Sequence, residues 1–382
     1  MSRPPAQGLR VCMFSTVHNP DDVRVFHREA RTLAAAGHRV VLLVHADGAK
    51  AVRQGVEIIG VKKPGRRWRR ILNGWHFYRM ARRLNAEVYH FHDFELLPWG
   101  WLLKKSGAAR VIYDCHENHP ETILERAWLP AWLKPALARL VAFIEPRLAR
   151  PLDAVLCVVP DQQQRLQRAG CRTLLVRNYP RLELFVRPAP SRQEAEIIYL
   201  GGLSVARGAR LLVDIMQALR QRHPRIRLLC LGPFNEPEVE RNVRAYARQR
   251  QVDGCMAFLP RVAHEQVAGF LHRARVGLIP WQPVPQMLKM CYPNKVFEYM
   301  ACGLPVVASD LPGLRQLIEP AQCGILVRAE EAPAHAAAIA TLLDDPDAAR
   351  EMGERGRVFA QAHYAWRQEA NVLLDCYEAM RR

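Results

Sequence analysis

The sequence lacks any apolar stretch long enough to cross a lipid bilayer. No run approaches the roughly 18 to 20 apolar residues that a spanning helix requires, and the opening residues, MSRPP, lack the apolar centre of a signal peptide. These absences argue against an integral membrane protein and against signal-directed export. We therefore predict a cytoplasmic protein.

The sequence also lacks the common signatures of metal and dinucleotide binding. None of its ten cysteines forms a Cys-x-x-Cys pair, so they are interpreted as small buried thiols, with no disulfide framework or metal site. Asp345-Pro346-Asp347 lies between two predicted helices and is interpreted as a cap and turn. The first predicted loop, residues 15–22, contains no glycine, which disfavours a dinucleotide-dependent oxidoreductase.

What is present is a long chain with alternating strand and helix patterns. The 382 residues suffice for two domains, and the alternation predicts parallel sheets in an α/β fold. We predict an N-terminal domain over 1–180, a linker over 181–193, a C-terminal domain over 194–362, and a final helix over 363–382 that returns to the N-terminal domain. The linker is inferred from its proline and serine content.

Positive charge is in excess, with 55 Lys and Arg against 37 Asp and Glu and a net charge of +18. Net charge alone does not distinguish nucleic acid, a nucleotide-sugar or an anionic membrane as the partner. Seven arginines fall within residues 66–83, where Trp68, Trp75 and Tyr78 recur at helical spacing. This pattern is typical of a membrane-surface helix, but also of an amphipathic helix packed on a sheet with solvated arginines.

Two predicted strands end in clusters of histidine and carboxylate. His92 and Asp93 follow the first of these strands, and His116 and Glu117 follow the second. Ligands bind at the carboxyl ends of strands in open parallel sheets, so these clusters predict a functional site. In the first loop, Asp21 or Asp22 is expected to cap the following helix.

Two segments of the C-terminal half carry the remaining candidates. A helix is predicted to begin near Asn294 and to end at Gly303, and it contains Lys295 and Glu298 three positions apart. That spacing fits either a surface ion pair or a binding site. Gly201 and Gly202 follow a strand, where their backbone N–H groups could approach a phosphate, although a simple tight turn has the same signature.

Together these segments resemble the GT-B glycosyltransferases, especially family 4. The resemblance implies two doubly wound Rossmann-like domains facing each other across a cleft, with His116 contacting the donor sugar and Glu298 holding ribose. It departs from the family where Met290 replaces a glutamate and Gly202 replaces an arginine. The implied nucleotide-sugar contacts are Gly201, Gly202, Arg207, Arg261, Asn294, Lys295 and Glu298. The resemblance also implies that the first loop faces the substrate, which makes His18 and Asn19 candidates for substrate contact.

The activity implied by this resemblance is transfer of a sugar from a nucleoside diphosphate to a hydroxyl of a glycan or lipid-linked acceptor, in cell-envelope polysaccharide synthesis. Retention of configuration is expected, and an inverting enzyme would use Asp93 or Glu117 as base. No metal and no cofactor beyond the nucleotide-sugar is expected, because Arg207 and Lys295 would neutralise the diphosphate. Peripheral association with the inner face of an anionic membrane is also expected.

Two other functions remain open at this point. A sugar-nucleotide epimerase of the same architecture would use the same nucleotide contacts without any acceptor. A basic nucleic-acid-binding protein would account for the charge, but the sequence contains no recognised module for nucleic acid, so no such partner is expected.

Overall fold

The protein is described by a computed structural model that covers residues 8–46, 48, 50–62, 70–107, 109–126, 129–185, 196–289 and 293–381. Its contacts divide the chain into two units, the first formed by Met1–Asn178 with Trp366–Arg382 and the second by Tyr179–Ala365. The final helix, Trp366–Ala379, therefore belongs to the first unit.

The first unit is built on a sheet with the strand order β3-β4-β2-β1-β5-β6-β7-β8 among the described residues. All neighbouring strands are parallel except β3, which pairs antiparallel with β4 at the edge. The strands are β1 Arg10–Phe14, β2 Arg39–His45, β3 Lys50–Arg53, β4 Val56–Val61, β5 Val88–Phe91, β6 Arg110–Cys115, β7 Ala154–Cys157 and β8 Thr173–Leu175.

Both faces of this sheet are covered, which explains why its central strands are apolar without alternation. Along β1, Cys12 and Phe14 point into one apolar core, and Val11 and Met13 point into the other. The helices are a π-helical segment Val23–Ala30 continued by α1 Arg31–Ala35, then α2 Arg70–Arg83, α3 Leu97–Lys105, α4 His119–Glu125, α5 Lys134–Ala149, α6 Pro160–Arg168 and the C-terminal helix.

The second unit contains a sheet in which every described pair of neighbouring strands is parallel, in the order β11-β10-β9-β12-β13-β14. Its strands are β9 Glu196–Leu200, β10 Arg227–Leu231, β11 Met256–Leu259, β12 Val276–Ile279, β13 Val306–Ser309 and β14 Gly324–Val327. Its helices are α7 Leu211–Arg220, α8 Pro237–Gln249, α9 His264–Arg273, α10 Pro285–Leu288, α11 Asn294–Ala301, α12 Pro312–Ala321, α13 Ala332–Asp344 and α14 Pro346–His363.

The strand order reverses once in each sheet. In the first sheet β1 lies between β2 and β5, and in the second β9 lies between β10 and β12. Such reversals open a crevice at the carboxyl ends of the two central strands, where doubly wound folds bind ligands. Of the predicted site residues, His92 and Asp93 follow β5 and Gly201 follows β9, which are central strands of this kind, while His116 follows the neighbouring strand β6.

The predicted two-domain α/β fold with parallel sheets is confirmed, with several local differences. The residues after Asp22 form a π-helical segment where an α-helix was predicted, and the hairpin of β3 and β4 was not predicted. Part of the predicted linker is a short 3-10 helix, Leu182–Phe185, whose Phe185 is buried in the core of the second unit. Residues 186–193 of that linker lie outside the described residues.

The predicted basic helix is only partly covered. Residues 63–69, with Trp68 and three of the arginines, lie outside the described residues. In α2, Tyr78 is buried in a core of the first unit, while Trp75 is half exposed. For Tyr78, the interpretation as part of an amphipathic helix packed on the sheet is therefore correct. None of the helices that are described is both long and apolar enough to cross a membrane.

Candidate functional site

Three strands of the first sheet end beside one another and carry polar residues onward. Ser15 follows β1, His92 follows β5, and His116 follows the last residue of β6. The rings of His18 and His116 lie 4.8 Å apart between centroids, and those of His92 and His116 lie 5.4 Å apart. These three histidines, together with the buried charges beneath them, are called the histidine cluster below.

Asp93 shapes the loop that follows β1. One carboxylate oxygen, Oδ2, accepts hydrogen bonds from Ser15 Oγ at 2.9 Å, Thr16 N at 2.5 Å and Thr16 Oγ1 at 3.1 Å. The other oxygen lies 3.9 Å from His18 Nε2. Asp93 thereby fixes the loop that carries His18. This positioning role uses one of the two oxygens of the Asp93 carboxylate.

His18 is held by the residue that begins the next helical segment. Asp22 accepts from the backbone N–H groups of Arg24 and Val25, so it is the predicted cap, and its Oδ2 lies 2.8 Å from His18 Nδ1. Burial by itself would lower the pKa of His18, but the hydrogen bond and charge of Asp22 outweigh it and the pKa is raised. The same contact lowers the pKa of Asp22 against the opposing effect of burial.

A buried ion cluster lies beneath the three histidines. Arg24 donates to both oxygens of Asp114, from Nε to Oδ2 and from Nη2 to Oδ1, each at 2.8 Å. Its Nε also lies 2.9 Å from Glu29 Oε1. Arg24 and Glu29 are five residues apart, a spacing that matches the i→i+5 hydrogen bonding of a π-helix and brings both side chains to one face.

The titration behaviour of this cluster follows from its pairing. Burial opposes ionisation of Asp114, but Arg24 and His116 hold the pKa of its carboxyl well below the usual range. Burial raises the pKa of Glu29 well above its usual range, with the neighbouring charge of Asp114 adding to the effect. Burial likewise lowers the pKa of His90, whose Nδ1 lies 2.9 Å from the hydroxyl of Tyr377 in the C-terminal helix.

Two groups of described side chains have ligand-type atoms close enough to surround a metal ion, but one carboxylate of each group is already paired with an arginine. Arg24 occupies both oxygens of Asp114 in the first group, and Arg165 donates to Glu145 at 2.6 Å in the second. A guanidinium supplies the counter-charge in both, so they are hydrogen-bonded ion clusters. The groups are Glu29, His90, His92 and Asp114, and Cys115, His119 and Glu145.

In the second unit, the turn after β9 begins at Gly201, whose backbone N–H does not face a phosphate as predicted but donates to the Leu231 carbonyl at 2.8 Å. Gly201 has φ +107°, which disfavours any other residue. A Cβ on Gly202 would lie 2.6 Å from Asn235 Oδ1 and 3.0 Å from Arg207 Nη1, so these two side-chain ends would have to shift to admit one. Arg207 Nη1 also donates to the Gly202 carbonyl at 3.3 Å. The predicted pair of glycines and the predicted arginine are therefore neighbours.

Lys295, in the first turn of α11, reaches the same place. Its side chain is buried, and no hydrogen-bond partner for Nζ is found among the residues that the structure describes. The Nζ atom lies 4.1 Å from the centre of the Tyr199 ring and 5.5 Å from that of Trp281. A Cβ on Gly201 would be 3.3 Å from it. Burial, with the nearby charge of Arg207, lowers the pKa of Lys295 to about 7.

Glu298 follows one turn later on the same helix. Its side chain is also buried, so the interpretation of Lys295 and Glu298 as a surface ion pair is wrong. The charge of Glu298 acts on Lys295 and opposes the lowering of its pKa. Tyr299 anchors the helix to β9, because its hydroxyl accepts from Leu200 N at 2.9 Å and donates to the Ile198 carbonyl at 3.2 Å.

The structure brings some predicted residues together and leaves others apart. His18, Asp93 and His116 form one group, and Gly201, Gly202, Arg207 and Lys295 form another. Arg261 and Asn294 are both exposed, and among the described residues neither side chain forms a hydrogen bond or an ion pair with Lys295. Asn19 and Glu117 are exposed as well. Met290 lies outside the described residues.

The sequence reading missed Arg24 and Glu29. Both lie in a helical pattern whose apolar positions drew the interpretation, and charged residues in a surface helix usually face water. The available signal was that Arg24 stands two residues after a capping aspartate, where the start of a helical segment points toward the strand ends.

Comparison with known families identifies the chain. The family model described as glycosyl transferase 4-like domain matches residues 23–179, and the model described as glycosyl transferases group 1 matches residues 194–345. The two matches follow one another and together account for most of the chain. The protein belongs to the GT-B glycosyltransferases, with a 4-like domain followed by a group 1 domain, and it is a transferase.

Individual relatives agree with this assignment. Glycogen synthase of Mycobacterium tuberculosis is 24% identical over 415 residues, which cover 98% of this chain and 95% of the relative. D-inositol 3-phosphate glycosyltransferase of Pseudarthrobacter chlorophenolicus is 30% identical over 185 residues, covering 48% of this chain and 42% of the relative.

Solved structures show the same fold. Sucrose-phosphate synthase from Thermosynechococcus elongatus matches with a TM-score of 0.76 and 20% identity, over 97% of this chain and 99% of that one. HepE of Anabaena, in complex with UDP-glucose, matches with a TM-score of 0.72 and 15% identity, over 97% of this chain and all of that one (100%).

Proposed function

We propose that the donor is a nucleoside-diphosphate sugar whose diphosphate binds at Lys295, Arg207 and the backbone around Gly201. The single observation that carries this proposal is the buried Nζ of Lys295, which has no hydrogen-bond partner among the described residues. A buried ammonium without a hydrogen-bond partner is unfavourable, and an arriving diphosphate would supply acceptors together with negative charge. The UDP-glucose complex of the Anabaena relative supports the same ligand class.

The other donor contacts extend from this point. Glu298, buried one turn further along α11, is proposed to hold the ribose hydroxyls. Arg261, in the coil after β11, is proposed to lie near the base, and Asn294 near the diphosphate. Their exposure leaves both free to contact a ligand. For His116 we propose contact with the donor sugar, with His18 and Asn19 near a substrate.

The chemistry proposed is sugar transfer to an acceptor hydroxyl with retention of configuration, without a metal and without a resident cofactor. Arg207 and Lys295 would neutralise the charge that develops on the leaving diphosphate, which is the task a metal performs elsewhere. An inverting reaction would require Asp93 or Glu117 as base. Asp93 already accepts three hydrogen bonds through one oxygen, and this engagement favours the retaining alternative.

For the acceptor, we propose a glycan or lipid-linked hydroxyl used in cell-envelope polysaccharide synthesis at the inner face of the membrane. The first unit contains 32 Lys and Arg and 18 Asp and Glu, so 32 minus 18 gives +14 of the total +18. Beside α5, Trp132 is 80% exposed, and Phe143 and Leu140 on α5 itself are more than half exposed. Exposed apolar residues with surrounding positive charge suit an anionic bilayer surface.

The donor proposal is tested by isothermal titration of the full chain with UDP-glucose and with other nucleotide-sugars, followed by turnover with a lipid-linked acceptor. Binding of one nucleotide-sugar and sugar transfer only in the presence of acceptor would support it. Release of a free or epimerised sugar without acceptor would favour the epimerase. Duplex nucleic-acid binding without nucleotide-sugar binding would overturn the proposal.

The membrane proposal has its own test. Co-sedimentation with vesicles containing anionic phospholipid should be strong at low salt, weak at high salt and weak with neutral vesicles. The double variant Trp132→Ala, Phe143→Ala should lose most of this binding. Val52→Ala removes an equally exposed apolar side chain of the same unit and should keep it. Equal binding by both variants would contradict this docking surface.

A further inference from the structure

Asp114 is surrounded by hydrogen-bond donors. Arg24 contributes two N–H groups, from Nε and Nη2, and the ring nitrogens His116 Nε2 and His92 Nδ1 lie 2.9 Å and 3.1 Å from Oδ2. Three of these contacts converge on Oδ2, and the guanidinium of Arg24 binds both oxygens, as it does with an ionised carboxylate. Asp114 therefore carries no proton of its own and acts only as an acceptor.

An acceptor-only carboxylate fixes the tautomers of its two histidines. Both ring nitrogens that face Asp114 must carry hydrogen, because a nitrogen lone pair directed at a carboxylate oxygen would be repelled. His92 Nδ1 and His116 Nε2 also lie 3.3 Å apart, but two N–H groups that both donate to Asp114 do not bond to each other. In a neutral His116, the nitrogen without hydrogen is then Nδ1.

The Nδ1 atom of His116 is available for a ligand. The described residues offer it no hydrogen-bond partner, and the side chain keeps 15% of its surface accessible. The ring cannot easily turn over, because His18 lies against it and Nε2 is tied to Asp114. The nitrogen that faces outward is thus determined by residues that never touch the ligand.

We propose that Arg24 and Asp114 are positioning residues that hold His116 as the Nε2–H tautomer and so present its Nδ1 as a hydrogen-bond acceptor to a hydroxyl of the donor sugar. This inference rests on the proposed function, since it assigns a chemical role within the same site. It also specifies the ligand: the sugar must carry a hydroxyl hydrogen toward His116. An analogue in which that hydroxyl is replaced by hydrogen or methylated would lose the contact.

The tautomer can be read directly on the full-length protein labelled with ¹⁵N-histidine. Two-bond ¹H–¹⁵N correlation at pH 8.5 distinguishes protonated from unprotonated ring nitrogens, and the signals of His116 are those that disappear in His116→Gln. A protonated Nε2 with an unprotonated Nδ1 would support the proposal. The Nδ1–H tautomer, a mixture of the two tautomers, or a ring protonated on both nitrogens would overturn it.

A kinetic arm tests the role of Asp114. Asp114→Asn should lower kcat by about tenfold to a hundredfold, because an amide can donate to Nε2 and favour the other tautomer, while the affinity for UDP stays within twofold. Glu145→Gln alters another buried, arginine-paired carboxylate of the same unit and should leave the His116 signals unchanged. Unchanged kcat in Asp114→Asn, together with an altered tautomer, would overturn the proposal.

The proposed function and the positioning role of Arg24 and Asp114 can fail independently of each other. If the wild-type protein transfers no sugar from any nucleotide-sugar, the proposed function fails, while the wild-type spectrum still reports the tautomer. If the wild type transfers sugar and His116 carries its hydrogen on Nδ1, only the positioning role fails. The spectrum requires no variant of a buried charge, so it does not depend on Asp114→Asn being able to fold.

Discussion

Buried charges occur at the strand ends of both units, but they are paired in one and unpaired in the other. In the first unit, Asp114 receives the guanidinium of Arg24 and two ring nitrogens. In the second, Lys295 is enclosed by aromatic rings without a hydrogen-bond partner among the described residues. A paired network keeps its geometry without a ligand, whereas an ammonium without a hydrogen-bond partner gains stabilisation when an anion arrives. The histidine cluster is therefore preorganised, and Lys295 responds to the donor.

The largest effect should come from breaking the paired site. Arg24→Met would leave Asp114 buried without its guanidinium, and the free energy of unfolding should fall by about 3 to 5 kcal/mol. Urea denaturation measures this loss. Arg53→Met, which removes a surface ion pair with Asp21, should cost less than about 1 kcal/mol. Similar losses in the two variants would mean that the buried ion pair contributes no more to the free energy of unfolding than the surface ion pair.

The opposite result is expected for Lys295→Met. Removing an unpaired buried ammonium should raise the melting temperature of the ligand-free protein, while the affinity for a nucleoside diphosphate falls by about tenfold to a hundredfold, since a charge-assisted contact is lost. Calorimetry and thermal denaturation provide both measurements. Lys289→Met, at an exposed lysine of the same unit, serves as the control. A lower melting temperature with unchanged affinity would remove the contrast between the sites.

The pH dependence of binding should sharpen the contrast further. Because the pKa of Lys295 is about 7 in the ligand-free protein, the lysine is mostly neutral above that pH and must take up a proton when a diphosphate binds. Between pH 7.5 and 9, affinity should fall by about tenfold per pH unit, equivalent to about 1.4 kcal/mol. Lys295→Met should show no such slope. A slope that persists in this variant would assign the titration to another group.

The smallest effect is expected from Tyr377, which contacts His90 at the edge of the histidine cluster. Tyr377→Phe removes one hydroxyl, 2.9 Å from His90 Nδ1, and should lower the free energy of unfolding by about 0.5 to 1.5 kcal/mol. Nucleotide affinity should not change, because Tyr377 belongs to the first unit. Urea denaturation and UDP titration check the two statements. A change in UDP affinity comparable to that of Lys295→Met would show that the two sites are coupled.

Much of the fold was predictable because it depends on local periodicity. The helix beginning at Asn294 and its end before Gly303 were both predicted, since glycine at a positive φ ends helices. The π-helical segment was not predicted, because apolar residues such as Val23 and Phe26 fit an α-helical pattern equally well.

The candidate sites were predictable only in part, because pairing depends on distant residues. Arg24 meets Asp114 across 90 positions of sequence, and no local pattern connects them. Lys295 and Glu298 have the spacing of an ordinary surface pair, and only the tertiary structure shows that both are buried. Residues that follow strands, such as His116, could be recognised because the end of a parallel strand is itself a local signal.

The C-terminal helix has a consequence for how the chain acquires its structure during synthesis. Tyr377 lies 287 positions after His90, and Trp366 and Leu373 complete one apolar core of the first unit. At about 5 to 20 residues per second, a ribosome needs roughly ten to forty seconds to synthesise the second unit, Tyr179–Ala365, which separates the two parts of the first. Throughout that time one face of the first sheet lacks part of its cover, so the unit that begins first is expected to be finished last.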